Sequence, residues 1–208
     1  MIDWLRNNWA TTIALILSIV ALLFTALKDF ILPWFFKPKL EITYLQKEPY
    51  KRQVNINAGP NSTVIGFFDR FKIENIGKNT AKNCRCQIYS IKDKTGKELD
   101  LQGFPIKWAS RPDSAVDFTK AERLNIGQGE SEFVDLAHAQ TNAIGYFYFE
   151  PYHNVPIGMT NQVPIKNYIV KVIISGDNFK PYIATFKING QPKYEHILEI
   201  TLEEVTRK

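Results

Sequence analysis

The stretch KIENIGKNTAKNCRCQIYSI, residues 72–91, decides the fold, because it has the form apolar–x–Asn–x–Gly–x–x–x–Ala leading into a strand. Short alternating runs on either side of Asn, Gly, Lys and Thr are typical of strand–turn–strand structure. The Asn75 side chain can hold the turn through its own hydrogen bonds, and Gly77 can supply a positive φ. Ala81 places a small side chain at the start of the second strand. The segment therefore predicts two strands of a β fold joined by a turn.

The two cysteines of the chain, Cys84 and Cys86, lie in the second of these strands. Alternation places both sulfurs on the same face as Ile88, whereas Arg85 points the other way. Free cysteine packs as a small apolar residue, and the extended backbone keeps strand residues i and i+2 too far apart for a disulfide. Zinc would need two further ligands, for which no spacing in the chain provides a pair. We therefore predict core packing, with no metal and no cofactor.

Similar runs recur about every ten residues towards the C-terminus, separated by Gly, Asn, Asp and Pro. The predicted strands are residues 39–45, 62–75, 84–91, 104–109, 122–127, 131–137, 143–150, 167–176, 181–190 and 193–204. No amphipathic helix of useful length interrupts them. The pattern predicts an all-β antiparallel sandwich, and the run 167–176, apolar on both faces apart from Lys171, is expected to be a central strand.

Three stretches carry a family resemblance: KIENIGKNTAKNC, LNIGQGESEFVDLA with its glycine turn before Glu130, and VKVIISGDN. Together they resemble bacterial Ig-like modules, including the cell-adhesion-related bacterial domain. The stretch KWASRPDSAVDF, with Trp108, also resembles uncharacterised prokaryotic proteins that have one membrane helix and one such sandwich. The resemblance covers roughly residues 65–203 and its motifs are structural. It therefore implies an Ig-like sandwich rather than a particular activity.

An uncharged segment of 21 residues, NNWATTIALILSIVALLFTAL, lies between Arg6 and Lys28. A helix from Trp9 to Leu27 would be roughly 28 Å long, close to the thickness of the hydrocarbon core. A cleaved signal peptide needs small residues before its cleavage site, and the candidate sites carry Ile19 and Phe24 instead. We predict a retained membrane helix with an interfacial aromatic segment over residues 1–36, followed by the β-sandwich over residues 37–208.

The charges that flank this segment predict its orientation in the lipid bilayer. Lys28, Lys37, Lys39 and Lys47 follow the helix, whereas Arg6 and the α-amine precede it. The positive-inside rule then favours a cytoplasmic sandwich over an extracytoplasmic one.

One face of the predicted helix carries small residues at spacings of three and four: Thr11, Ala14, Ser18, Ala21 and Thr25. Small residues let helices approach closely in lipid, so this face is a candidate self-association seam. The alternative is that Ala, Ser and Thr are simply common in membrane helices.

The composition and motifs argue against several functions. The formal net charge is +5, without a basic run or a recognised motif, which argues against nucleic acid as a partner. His138, His153 and His196 are scattered, and the chain has neither a G-x-S-x-G nor a phosphate-binding glycine loop. We predict a protein without enzymatic activity.

The candidate binding surface is rich in aromatic residues, with an arginine and a histidine beside them. Its members are Trp108, Arg111, Tyr146, Tyr148, Tyr152 and His153. The alternative is that these aromatic side chains fill the core. The sequence thus predicts a membrane-anchored β-sandwich that binds an unknown protein or a small anionic ligand. The alternative function is a membrane effector whose sandwich is the sensor of a nucleotide-signalled antiphage system, because its architecture is similar to that of such effectors.

Overall fold

A computed structural model describes residues 8–31, 36–59, 62–111, 122–149, 161–190 and 198–208. The chain divides into two compact units, Met1–Lys37 and Pro38–Lys208, and each is described by itself.

The first unit contains an α-helix, α1 (Trp9–Ala26), followed by a π-helical turn, Leu27–Ile31. No side chain of α1 is buried, and the segment Trp9–Asp29 is long and apolar enough to cross a membrane. Two hydroxyl groups of the predicted seam bond back to the preceding helical turn: Ser18 Oγ donates to Ala14 O at 2.8 Å and Thr25 Oγ1 to Ala21 O at 2.9 Å. These polar groups are therefore satisfied within the helix, as an apolar surrounding requires.

The described part of the second unit contains eleven strands. They are β1 (Leu40–Thr43), β2 (Lys51–Gly59), β3 (Ser62–Asn75), β4 (Ala81–Asp93), β5 (Leu124–Ile126), β6 (Ser131–Gln140), β7 (Tyr146–Tyr148), β8 (Gln162–Pro164), β9 (Tyr168–Ser175), β10 (Tyr182–Gly190) and β11 (Leu198–Arg207).

The strands form two antiparallel sheets. The first sheet has the order β1-β3-β6-β7-β8, and β2 also pairs with β3, on residues 62–69, whereas β1 pairs with residues 72–75. The second sheet has the order β11-β10-β9-β4-β5. The two sheets pack as a sandwich, which confirms the predicted fold class.

Aromatic side chains from both sheets fill the space between them. The Phe186 ring of β10 lies 5.1 Å from that of Phe71 in β3 and 6.4 Å from that of Tyr44. Phe147 of β7 lies 5.9 Å from Tyr168 of β9. Burying a Phe side chain of this kind contributes about 1.5–3 kcal/mol, so these contacts account for much of the cohesion between the sheets.

The turn after β3 connects the two sheets, and the fully buried Asn75 side chain holds it as predicted. Asn75 Nδ2 donates to the carbonyl oxygens of Asn79 at 2.7 Å and Ile126 at 2.9 Å, and Oδ1 accepts from Gly77 N at 3.1 Å. The expectation that Gly77 has a positive φ is wrong, since the positive-φ glycines among the described residues are others, such as Gly129. The side-chain bond to Gly77 N closes the turn without a left-handed residue.

One strand prediction needs correction and another is confirmed. Residues 104–109 do not form a regular strand: Pro105 bridges to Gln87 of β4 and Trp108 bridges to Val134 of β6, so the segment passes from one sheet to the other. The run 167–176 forms a central strand, β9, as predicted, and one of its two faces is buried. Ile169 is 43% exposed, so the other face of the second sheet lies in solvent.

The cysteines of β4 lie on its inner face, as predicted. Cys84 and Cys86 are buried free thiols in the same core cluster as Ile88. Burial raises the pKa of Cys84 to about 12 and that of Cys86 well above its ordinary value. Both thiols therefore stay protonated and apolar in character at neutral pH.

Candidate ligand groove on the first sheet

The four described members of the predicted aromatic surface, Trp108, Arg111, Tyr146 and Tyr148, differ in exposure. Trp108 is fully buried, and its indole Nε1 donates to Glu122 O at 3.0 Å. Its bridge to Val134 on the inner side of β6 aims the ring into the sandwich. Trp108 is therefore a core residue, and its inclusion in the candidate surface was wrong.

Of the other described members, Arg111 follows closely after Trp108 in the chain, and Tyr146 and Tyr148 lie on β7. Arg111 is half-buried next to the core, and its backbone N–H donates to Trp108 O at 3.0 Å. Tyr146 is 41% exposed at the start of β7, and Tyr148 is half-buried at its end. Tyr152 and His153 lie outside the described residues. Of the described members of the predicted set, only Tyr148 lines the cavity described next.

A cavity of about 560 Å³ lies on the outer face of the first sheet, the face turned away from the core. Val54, Ile56 and Ala109 form apolar parts of its lining, and Asn161 lines it beside β8. We call this cavity the outer groove. Two rows of side chains line it, and each row runs across the strands. The size of the groove is in the range that holds small-molecule ligands.

The first row is charged and consists of Arg70, Asp135 and Lys107. Arg70 of β3 lies opposite Asp135 of β6, and its Nε donates to Asp135 Oδ1 at 2.5 Å. The Trp108–Val134 bridge, with Asp135 N donating to Lys107 O at 2.9 Å, places Lys107 beside Asp135 on the other edge of β6. Asp135 is 2% and Lys107 8% exposed. The row therefore holds two cations and one carboxylate in a largely desolvated place.

The second row is aromatic and consists of Phe68, His138 and Tyr148. The His138 ring lies 4.7 Å from Phe68 at an interplanar angle of 16° and 5.2 Å from Tyr148 at 18°. His138 is 4% exposed, and Gln140 Nε2 lies 2.9 Å from its Nε2. The imidazole and the amide thus form one hydrogen bond, which helps to fix the orientation of the ring within the row.

A bulge in β6 brings the two rows to the same face. Asp135 and His138 are three residues apart, and a regular strand would point them to opposite faces. The pairing with β3 shifts between Arg70, opposite Asp135, and Asp69, opposite Ala137, which leaves Leu136 as the extra residue. Bulges commonly redirect a side chain near functional sites.

A second polar cluster lies on the inner face of the same sheet. The Asp69 carboxylate accepts a hydrogen bond from Tyr44 Oη at 2.7 Å and lies 3.4 Å from Lys51 Nζ. Burial raises the pKa of Asp69, and the neighbouring Lys51 and Tyr44 partly offset this rise. Lys51 also donates to Leu198 O at 2.6 Å. This cluster links β2 and β3 to the edge of the second sheet.

Sequence reasoning missed Arg70, Lys107 and Asp135. A signal was present for two of them, because Lys107 stands in the apolar run FPIKWA and Asp135 in FVDLA. A lone charge inside an apolar run indicates a charged group that the fold must pair. Their convergence with His138 depends on the bulge, which no residue pattern marked.

Comparison of the chain with family models, with curated proteins and with solved structures found no match. The chemistry of the outer groove therefore rests on its own geometry. Among the described residues, no group of three or more His, Cys, Asp and Glu side chains is placed to hold a metal ion. The groove offers cations, amides and aromatic rings, which recognise anions and planar groups.

Proposed function

We propose that this protein is a membrane-anchored β-sandwich module that binds a small anionic ligand in the outer groove and does not catalyse a reaction. The observation that carries this proposal is the charged row, Arg70–Asp135–Lys107. Of the charged side chains that line the cavity within the described residues, two are cations and one is a carboxylate. The Arg70 guanidinium and the Lys107 ammonium are both groups that suit charge-assisted hydrogen bonds with an anion.

The energetics of burial support a ligand-binding role for the charged row. Removing charged groups from water is costly, and apolar residues of similar volume stabilise a fold equally well or better. Lys107 and Asp135 nevertheless lie buried on the outer face of a sheet, where the sandwich core does not need them. An anion that reaches the Lys107 ammonium, or the guanidinium nitrogens of Arg70 that Asp135 leaves available, would be held by charge-assisted hydrogen bonds.

The membrane anchor and the orientation belong to the same proposal. The apolar segment Trp9–Asp29 supports an anchor by its length and composition. The lysines that follow it support a cytoplasmic sandwich. An Ig-like description and a prokaryotic origin remain proposals, supported by the turn around Asn75. Self-association through the helix seam, and the effector role that would depend on it, stay predictions.

The test is a ligand-dependent thermal melt of the full-length chain in detergent micelles, with inorganic phosphate, citrate and adenosine monophosphate as probes. A ligand at one hundred times its Kd stabilises the folded state by about 2.7 kcal/mol. For a chain of this size, the expected rise in Tm is roughly 5–10 °C. Arg70→Gln and Lys107→Met should abolish the rise.

The matched control is Lys187→Met, which removes an exposed lysine from β10 in the second sheet. This variant should keep the full rise in Tm. The proposal is refuted if none of the three anions raises the Tm of the wild-type chain. An equal rise in wild-type and Lys107→Met protein would also refute it.

A further inference from the structure

We propose that the ligand of the outer groove carries its negative charge on a molecule that also contains a planar aromatic ring. This inference rests on the proposed function and names the chemical class of the ligand. It is carried by the second row of the groove, Phe68–His138–Tyr148, which anion binding alone does not require.

The spacing of the two rows sets the size of the ligand. Phe68 and Arg70 are separated by two positions on β3, so the rows lie about 7 Å apart along the strand. A ring that contacts the aromatic row can therefore belong to the same small molecule as an anionic group at Arg70. A nucleotide and an aromatic carboxylate both have such dimensions, and both fit a cavity of about 560 Å³.

The arrangement of the stack indicates where the ring docks. His138 lies between its two neighbours, with both rings nearly parallel to it. At one end, the guanidinium carbon of Arg70 lies 5.8 Å from the Phe68 ring centroid. Tyr148 ends the row on β7, where Asn161 also lines the cavity. Tyr148 and Lys107 lie on the same edge of β6, so a ring that contacts Tyr148 places its anion at the Lys107 end of the charged row.

Other ligand classes fit the groove less well. A metal ion prefers several carboxylate or imidazole ligands, whereas the lining offers one carboxylate, Asp135, and one imidazole among the described residues. A lipid tail would need a longer apolar lining than Val54, Ile56 and Ala109 provide. Stacking on an aromatic side chain beside cations is the recognition mode of ring-bearing anions.

The experiment compares pairs of probes that have equal charge but differ in the ring. The pairs are benzoate with cyclohexanecarboxylate and adenosine monophosphate with ribose 5-phosphate, titrated into the full-length chain in detergent micelles by calorimetry. In at least one pair, the ring-bearing member should bind about tenfold or more tightly, from the typical strength of stacking on one aromatic side chain. The pair that shows this preference distinguishes a nucleotide from an aromatic carboxylate.

Variants separate the ring contact from the anion contact. Tyr148→Leu should remove the preference for the ring and leave weak binding of both members, whereas Lys107→Met should abolish binding of all four probes. Tyr146→Leu, on the same strand but outside the lining of the groove, is the matched control and should keep the preference. A thermal melt of each variant without probe checks that it folds.

The possible results separate this inference from the proposed function. If the anions bind but ring-bearing and ringless members bind equally, the ring inference is overturned and the anion site stands. If Tyr148→Leu keeps the preference, the ring contact is misplaced and the inference is overturned as well. If no anion binds, both proposals fail.

Discussion

Two buried aspartates on paired strands, Asp69 and Asp135, point to opposite faces of the same sheet. Asp69 is 3% and Asp135 2% exposed, and each lies near a cation. Asp69 faces the core and is held by Tyr44 and Lys51. Asp135 faces the outer groove beside Arg70 and Lys107. Burial is equal in the two places, but the surroundings differ.

The difference lies in what each set of groups connects and in the size of the cavity beside it. On the inner face, one ammonium and one phenol contact one carboxylate beside a cavity of about 240 Å³, and the set links β2, β3 and the edge of the second sheet. On the outer face, Arg70 pairs with Asp135, and both line a larger cavity, of about 560 Å³, together with Lys107 and the aromatic row. We therefore interpret the inner-face polar groups as structural and the outer-face groups as a binding site. The experiments on inner-face residues described below test the structural role.

The largest effect is expected for Asn75→Ala, on the inner face at the end of β3. The side chain donates two hydrogen bonds and accepts two, from Gly77 N and, at the longer distance of 3.4 Å, from Lys39 N. Each of the three shorter bonds contributes on the order of 1 kcal/mol. Leaving these buried backbone groups without partners should lower the free energy of unfolding by about 3 kcal/mol. The measurement is denaturant unfolding of the full-length chain in micelles, followed by tryptophan fluorescence.

The matched control is Asn79→Ala, which truncates an exposed asparagine in the same turn. Only the backbone carbonyl of Asn79 accepts from Asn75, and this carbonyl remains in the variant. The control should change stability by less than about 0.5 kcal/mol. Equal losses in the two variants would contradict the structural role of the Asn75 side chain.

A smaller effect is expected from the pH dependence that Asp69 causes. Its pKa is raised in the folded state, mainly by burial, so the folded protein binds its proton more tightly than the unfolded chain does. The contribution to stability is therefore present below the unfolded pKa of about 3.9 and is lost as the pH rises through the folded pKa. Asp69→Asn removes this dependence of the free energy of unfolding on pH. The stability of the variant relative to wild type should therefore increase with pH over that window.

The measurement is a series of thermal melts of wild type and Asp69→Asn between pH 4 and 7. Glu41→Gln, at an exposed position of β1, is the control, and its stability relative to wild type should stay nearly constant with pH. If the Asp69→Asn difference is also flat, the buried carboxylate is not titrating as its surroundings require. A fall of the difference with rising pH would reverse the sign and place Asp69 among the stabilising ion pairs.

The sequence was sufficient for elements whose pattern is local. Strand β3 has the predicted bounds, 62–75, because alternation and the asparagine turn together mark both its face and its end. The inner face of Cys84 and Cys86 followed from the same alternation. Trp108 was misplaced because an aromatic residue suits a core and a binding surface equally well. Only its bridge to Val134, made over a long sequence separation, decides between them.

The candidate site was largely beyond the reach of the sequence, for a physical reason. Asp135 and His138 share a face only because Leu136 is bulged, and the bulge arises from the register between β3 and β6. Arg70 and Lys107 reach Asp135 from two different neighbouring segments. Such a site is defined by register across strands, whereas composition and periodicity report only on each strand alone.

The smallest effect is expected for the two thiols. Because Cys84 and Cys86 lie on the inner face, we expect that a thiol reagent does not modify them in the folded protein. Burial raises the pKa of Cys84 to about 12, so at pH 7.5 the thiolate fraction is on the order of 10⁻⁴ or less. A maleimide should therefore modify Cys84 and Cys86 only as the chain unfolds, and should modify both readily in denaturant. Lys92→Cys, at an exposed position of the same strand, should react at once in the folded chain. If the native cysteines react as fast as this added thiol, β4 does not turn them inward, and the assignment of inner and outer faces fails at the strand from which the fold was first predicted.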